Sequence, residues 1–172
     1  MNNLDRLKKR ASWLRVATLC VVVALPVLIG AALTLNMPMT ALPQPVSPDV
    51  TRGQVMSAQA LGLVSVAALI WTLLRMRQLF GAYAAGDVLS EANALTIQRI
   101  GQGMLAVAAL GVVVRPVQSL ILTLENASGQ RAIAVSLSSA DIGFLLAGGL
   151  LSVIGWAMHE AAQAADENRS FV

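Results

Sequence analysis

A chain of 172 residues that is 56% hydrophobic and only 12% charged lacks the polar surface to cover a water-soluble body, which is ordinarily about 25% charged. The net charge of +3 does not point to direct nucleic-acid binding, because the basic residues lie at the edges of apolar runs and form no phosphate-binding stripe. One cysteine, Cys20, excludes an internal disulfide and any cysteine-cluster metal site.

The first apolar run, 16–35, has 20 residues and no charge, which suffices to cross a bilayer. Pro26 is tolerated in such a span because neighbouring helices and local adjustment satisfy the freed carbonyl. The preceding "MNNLDRLKKRASWLR" is basic and places Trp13 as an interfacial anchor. A cleaved signal peptide ending at "GAA", 30–32, is the rival reading, but its apolar core would exceed the usual length of about 7–15 residues. Residues 36–54 follow, with prolines at 38, 43, 45 and 48, and are expected to form an extended, solvated loop. The second span is expected over 55–74, with Trp71 near one end.

Residues 75–99 are expected to form a cytoplasmic loop of two short helices. Gly86-Asp87 marks a chain reversal, since glycine takes φ > 0 readily. Ser90 is the expected cap of the second short helix, although Asn93 leaves its capping box incomplete. Leu79, Phe80, Tyr83, Val88, Leu89, Leu95 and Ile97 supply apolar surface suited to lying on the inner leaflet.

The third span admits two placements. Drawn from 104 to 124, it puts Arg115 near mid-bilayer, where a charge costs at least about 2.5–3.5 kcal/mol and needs a buried partner. No Asp or Glu lies in the other runs to provide one. Drawn from 100 to 118, it starts at Arg99 and leaves Arg115 near the outer interface, where its stem can snorkel. Because residues before proline are biased away from the helical region, "RP" at 115–116 then begins a helix ending. The alternation of Leu120, Leu122 and Leu124, and of Ile133, Val135 and Leu137, about the turn-like "NASGQ" predicts an outer β-hairpin over 120–137. The second placement is preferred, with Arg115 pairing to Asp141, Glu125 or Asp49. The fourth span is expected over 142–158, after an N-cap at Ser138 or Ser139 with Asp141 in the first turn.

Four spans leave nine basic residues on one side (Arg6, Lys8, Lys9, Arg10, Arg15, Arg75, Arg77, Arg99, Arg169) and two, Arg52 and Arg131, on the other. That asymmetry places both termini in the cytoplasm. The expected fold class is therefore an all-α integral membrane protein: a four-transmembrane-helix bundle with short cytoplasmic helices and an outer β-hairpin, forming one membrane domain over 1–172. Small residues recur at helix-packing spacing at Ala58, Gly62 and Ser65; at Gly101, Ala108 and Gly111; and at Gly148, Ser152 and Gly155.

Catalytic constellations are absent from the sequence. His159 is the sole histidine and lacks the second His of a metalloprotease helix. No phosphate-binding loop appears, and the spans offer no nucleophile–base pair. The expectation is a protein that is not an enzyme and has no catalytic, cofactor or metal site.

The stretch "LRMRQLFGAYAAGDVLSEANALTIQRIGQGML", 74–105, and the closing "HEAAQAADENRSFV", 159–172, resemble the bacterial membrane-protein family catalogued as domain of unknown function 2975. The resemblance rests on Leu79, Phe80, Tyr83, Gly86, Asp87, Ser90, Glu91, Asn93, Arg99, Ile100 and Gly101. It is completed by Asp141 before the last span and by Glu160, Glu167, Asn168, Phe171 and Val172, and it covers the chain from about residue 15 onward. What it implies is an inner-membrane protein of no established chemistry, often paired in the genome with a small helix-turn-helix regulator.

The expected function is non-enzymatic interaction or regulation, with a cytoplasmic face that binds a partner such as that DNA-binding regulator. Its candidate surface is Arg75, Arg77, Leu79, Phe80, Tyr83, Asp87, Glu91, Asn93, Arg99, Glu167, Asn168 and Phe171. Arg115 with Asp141 is the candidate outer ion pair. Membrane lipid and a second copy of the chain are further candidate partners. The alternative is a small transporter or channel subunit using Arg115.

Overall fold

The computed structural model describes residues 3–34, 51–88, 90–124 and 136–170. It contains four helices, α1 (Asn3–Thr34), α2 (Arg52–Ala85), α3 (Glu91–Thr123) and α4 (Ser139–Ser170). Each is long and apolar enough to cross a membrane, and a helix satisfies its own backbone where no water can. The chain is a multi-pass membrane protein.

The close helix pairs are α1 with α2, α2 with α3 and α3 with α4; among the described residues there is no other. The four therefore pack as an open row in sequence order. α3 is the most enclosed, with Ala94, Ile100 and Ala108 buried, whereas α1 buries only Ala11 and Thr18 among its described side chains. Leu79 of α2 and Ile97 and Ile100 of α3 form the core cluster, and Met76, Tyr83, Met104, Leu151 and Met158 pack against it.

Cross-helix contacts fix an antiparallel register. Arg15 of α1 lies beside Gly81 of α2, and Gly103 of α3 sits against Thr72 and Trp71. Gly101 of α3 touches Ser152 of α4, and Gly155 touches Gln98. This register gathers the charges of different helices toward two ends. One end holds Arg75 and Arg99, with Arg15 beside Gly81 and His159 beside Glu91 farther toward the α2–α3 reversal; we call this the near face. The other holds Arg115 and Asp141. Between Arg99 and Arg115 lie fifteen uncharged residues. At about 1.5 Å per residue the two arginines are about 24 Å apart, and outward snorkelling of both stems brings the belt close to a hydrocarbon core of about 30 Å.

The chain reversal forms at Gly86, whose φ is 94°. Its N–H donates to the Tyr83 carbonyl at 3.1 Å, and the Asp87 N–H donates to the Ala82 carbonyl at 3.0 Å. This paired closure of a helix end depends on a left-handed residue. A Cβ at Gly86 would also meet Lys8 Cε at 2.9 Å. Gly86→Ala is therefore expected to cost about 1–2 kcal/mol, read as a lower unfolding midpoint in detergent; an unchanged midpoint contradicts this account of the turn.

Three expectations need correction. The hairpin does not form over its first strand, because Leu120–Thr123 is helical and α3 runs unbroken through Arg115-Pro116. Residues 125–135, with the rest of the turn and most of the second strand, lie outside the described residues, and 136–138 are not strand. The physical reason is packing: Gln118, Ser119, Leu122 and Thr123 are buried at helical spacing, and that burial overrides the local bias before proline. The two short helices of 75–99 are not separate elements but the end of α2 and the start of α3. Their apolar residues Leu79 and Ile97 face the core, not a leaflet. Finally, Ser90 stands at the extended position before α3 but makes no side-chain cap; its hydroxyl donates to Asp87 Oδ2 at 2.9 Å.

Candidate functional site

Two places gather polar groups. The first joins α3 to α4 at the level away from the near face. Arg115 Nη1 donates to Asp141 Oδ2 at 2.6 Å, and Nη2 donates to Oδ1 at 3.0 Å, the bidentate geometry at which guanidinium–carboxylate pairs are strongest. Nη1 also donates to the Ser136 carbonyl at 3.3 Å. Asp141 is the third residue of α4 and turns back on Ser138. Its Oδ2 accepts from the Ser138 N–H at 2.8 Å and the Ser138 hydroxyl at 2.7 Å, while its own N–H donates to Ser138 Oγ at 3.2 Å. Ser138 and Asp141 thus form a reciprocal cap, and the carboxylate is also well placed against the helix dipole.

The pair is asymmetric: the Asp141 side chain is 5% exposed and that of Arg115 is 38% exposed. Gly111 makes room for it, since a Cβ there would stand 2.8 Å from Asp141 Oδ1. One turn beyond Arg115, Gln118 Nε2 donates to the Ala58 carbonyl of α2 at 2.8 Å. Adjacent turns of α3 therefore hold α4 and α2. The alternative partners of Arg115, Glu125 and Asp49, lie outside the described residues.

The second place is the near-face platform, where α2 and α3 continue about ten residues, or about 15 Å, beyond the charge level of Arg75 and Arg99. Arg75 donates to Gln78 Oε1 at 3.1 Å and sits 5.2 Å from the Trp71 ring centroid. Asp87, Glu91 and Arg99 are exposed. Asn93 is buried and donates to the Asp87 carbonyl at 2.9 Å, so it holds the turn. Leu79 is buried and Tyr83 packs against it; both are core residues first. Arg77 has its Nε buried without a partner. Phe80 lines a cleft against α1. Glu167 and Asn168 lie on α4, their side chains outside the described residues, as is Phe171. His159 Nδ1 lies 3.5 Å from Glu91 Oε1, and its Nε2 is 3.0 Å from Gln163, linking the end of α4 to the start of α3.

No protein-family model, no curated protein and no solved structure matches the chain.

Gly111 as the seat of Asp141, the Gln118–Ala58 link and the His159–Glu91 contact have no signal in the sequence. Each joins residues 30 or more positions apart, and only the packed register shows which turns coincide. The signal for the cap was present in "SSAD", 138–141.

Proposed function

We propose that this chain is a non-enzymatic interaction or regulatory protein of a bacterial inner membrane, whose near-face platform binds a partner in the cytoplasm. The observation that carries the reading is the continuation of α2 and α3 past the charge level as a capped helical hairpin. It offers Asp87, Glu91 and Arg99 as exposed charges of both signs on a backbone fixed by Asn93. Charges on rigid helices favour recognition of a specific partner, since complementary rim charges set register and steer encounter. The excess of basic residues on this face supports reading it as the cytoplasmic one. The class of partner that the resemblance to domain of unknown function 2975 suggests is a small helix-turn-helix regulator held at the membrane.

The test is co-purification of the full chain, in mild detergent, with a helix-turn-helix regulator encoded beside it. Retention is expected to fall about tenfold in the charge reversal Arg99→Glu, a loss of about 1.4 kcal/mol, and to persist in Arg52→Glu at the start of α2. Failure to retain the regulator, or equal retention by both variants, rejects this reading.

A further inference from the structure

We propose that the cleft between the start of α1 and the end of α2 binds the phosphate headgroup of an anionic phospholipid, with Arg6 and Arg10 as its cationic contacts. The cleft is an open groove of about 540 Å³, lined by Arg6, Leu7, Arg10, Ala11, Leu14, Phe80 and Tyr83. That volume lies within the range of about 300–1,000 Å³ at which pockets take small ligands.

Four features assign the ligand class. Arg6 and Arg10 are one helical turn apart, so their guanidiniums project to the same side. Among the described residues neither has a carboxylate partner: the two ion pairs there are Arg115–Asp141 and His159–Glu91. Two unneutralised guanidiniums over one cleft favour a planar, multidentate anion, and phosphate suits their geometry. The Tyr83 hydroxyl has no hydrogen-bond partner among the described residues, and Tyr83 lines the opposite wall. Beneath these groups the cleft is apolar, with Leu7, Ala11, Leu14 and Phe80, which suits the glycerol and upper acyl carbons of a lipid better than a hydrated inorganic ion.

Position decides the source of the phosphate. Trp13, 71% exposed, lies three residues beyond Arg10 toward the span, and tryptophan marks the headgroup level. From there α1 continues with Val16, Val21, Val23, Val27 and Leu28 exposed, an apolar surface along which acyl chains can lie. Lys8 beside Gly86 and Arg15 beside Gly81 flank the cleft and raise its positive potential. Basic clefts between spans at the cytoplasmic interface are the sites at which anionic headgroups are held. This inference rests on the membrane-spanning fold and is independent of the protein partner proposed above.

The test uses the full chain reconstituted in vesicles of equal parts phosphatidylglycerol and phosphatidylcholine, extracted in mild detergent and weighed with its retained lipids by native mass spectrometry. At about 1 kcal/mol per basic residue near the surface, two arginines give an expected preference for phosphatidylglycerol of about tenfold or more. Arg6→Gln with Arg10→Gln is expected to reduce it to near parity, while Arg52→Gln leaves it intact. Both arginines are exposed, so the double variant keeps its fold, and only its folded fraction, judged by helical circular dichroism, is counted. A second arm adds millimolar inorganic phosphate against chloride of equal ionic strength. Three results overturn the proposal: no preference, a preference that survives the double variant, or displacement of lipid by phosphate beyond that seen with chloride, which would make the ligand a soluble phosphate.

Discussion

Arg115→Ala is expected to destabilise the protein by about 2 kcal/mol, and Asp141→Asn by less. Removing one partner of a buried pair costs about 3–5 kcal/mol, since an uncompensated charge remains, but the Arg115 side chain is 38% exposed, which lowers the figure. The two deletions strand different groups. Without Arg115, a carboxylate 5% exposed keeps only its Ser138 donors. Without the carboxylate charge, the guanidinium can turn toward the interface, and Asn still accepts from Ser138. Denaturation in mixed micelles should show this order. The double variant Arg115→Ala with Asp141→Ala should fall short of the sum of its single variants by about 1–3 kcal/mol. Strict additivity would mean that the clamp contributes nothing as a pair. Replacing Cys20 with Ser and Arg115 with Cys places a lone thiol at this level. Its labelling by a membrane-impermeant reagent from the side away from the near face is the expected result, and full protection rejects the interfacial placement. Solute flux in liposomes that disappears with Arg115→Ala at unchanged stability would put Arg115 on a permeation path instead.

How much of this was legible before folding depends on the length over which a pattern repeats. Three uncharged runs of 17 to 20 residues, and a fourth apolar run interrupted only by Arg115, leave little ambiguity about crossing a membrane, because few other structures need them. The Gly86-Asp87 reversal was equally readable, since the left-handed backbone there has a strong residue preference. The stretch 120–124, "LILTL", was misread because nearly every residue is apolar. A short run of that kind has no polar positions to separate period 2 from period 3.6. Only its neighbours decide: Gln118 and Ser119, buried one turn before Leu122 and Thr123, continue a helical face. The Arg115–Asp141 pair was among three possible pairings because proximity in a membrane protein follows helix register, and the sequence of one helix does not contain its offset against the next. The Gly111 gap and the Gln118 bond to Ala58 belong to the same class of facts. On the near face, Leu79 and Asn93 stood out as surface candidates through their motif, yet folding commits both to internal packing.

Gly101→Ala and Gly155→Ala are expected to cost about 1–3 kcal/mol each, whereas Gly143→Ala and Gly149→Ala should be neutral or stabilise by up to about 1 kcal/mol. All four lie on α3 or α4, so helix propensity alone favours alanine at each. What separates them is the distance between backbones. A Cβ at Gly101 would meet Gly148 O at 2.6 Å, and one at Gly155 would meet Gln98 Cα at 2.7 Å. Main-chain atoms cannot turn aside as a side chain can, so the helices must separate along their length. Nothing lies within 4 Å of a Cβ at Gly143 or Gly149. In lipid, apolar surface gains little by leaving one hydrocarbon contact for another, and close backbone approach carries much of the association. Loss of that approach is therefore not offset by the methyl groups added. Gly148→Ala provides an intermediate case, because its Cβ would meet Gly101 O at 2.8 Å but otherwise the flexible Leu105 side chain and its amide at 3.0 Å. Unfolding midpoints in a common detergent should rank Gly101 and Gly155 below Gly148, and Gly148 below Gly143 and Gly149. If all five alanines behave alike, α3 and α4 are held by the Arg115–Asp141 clamp and not by their glycines.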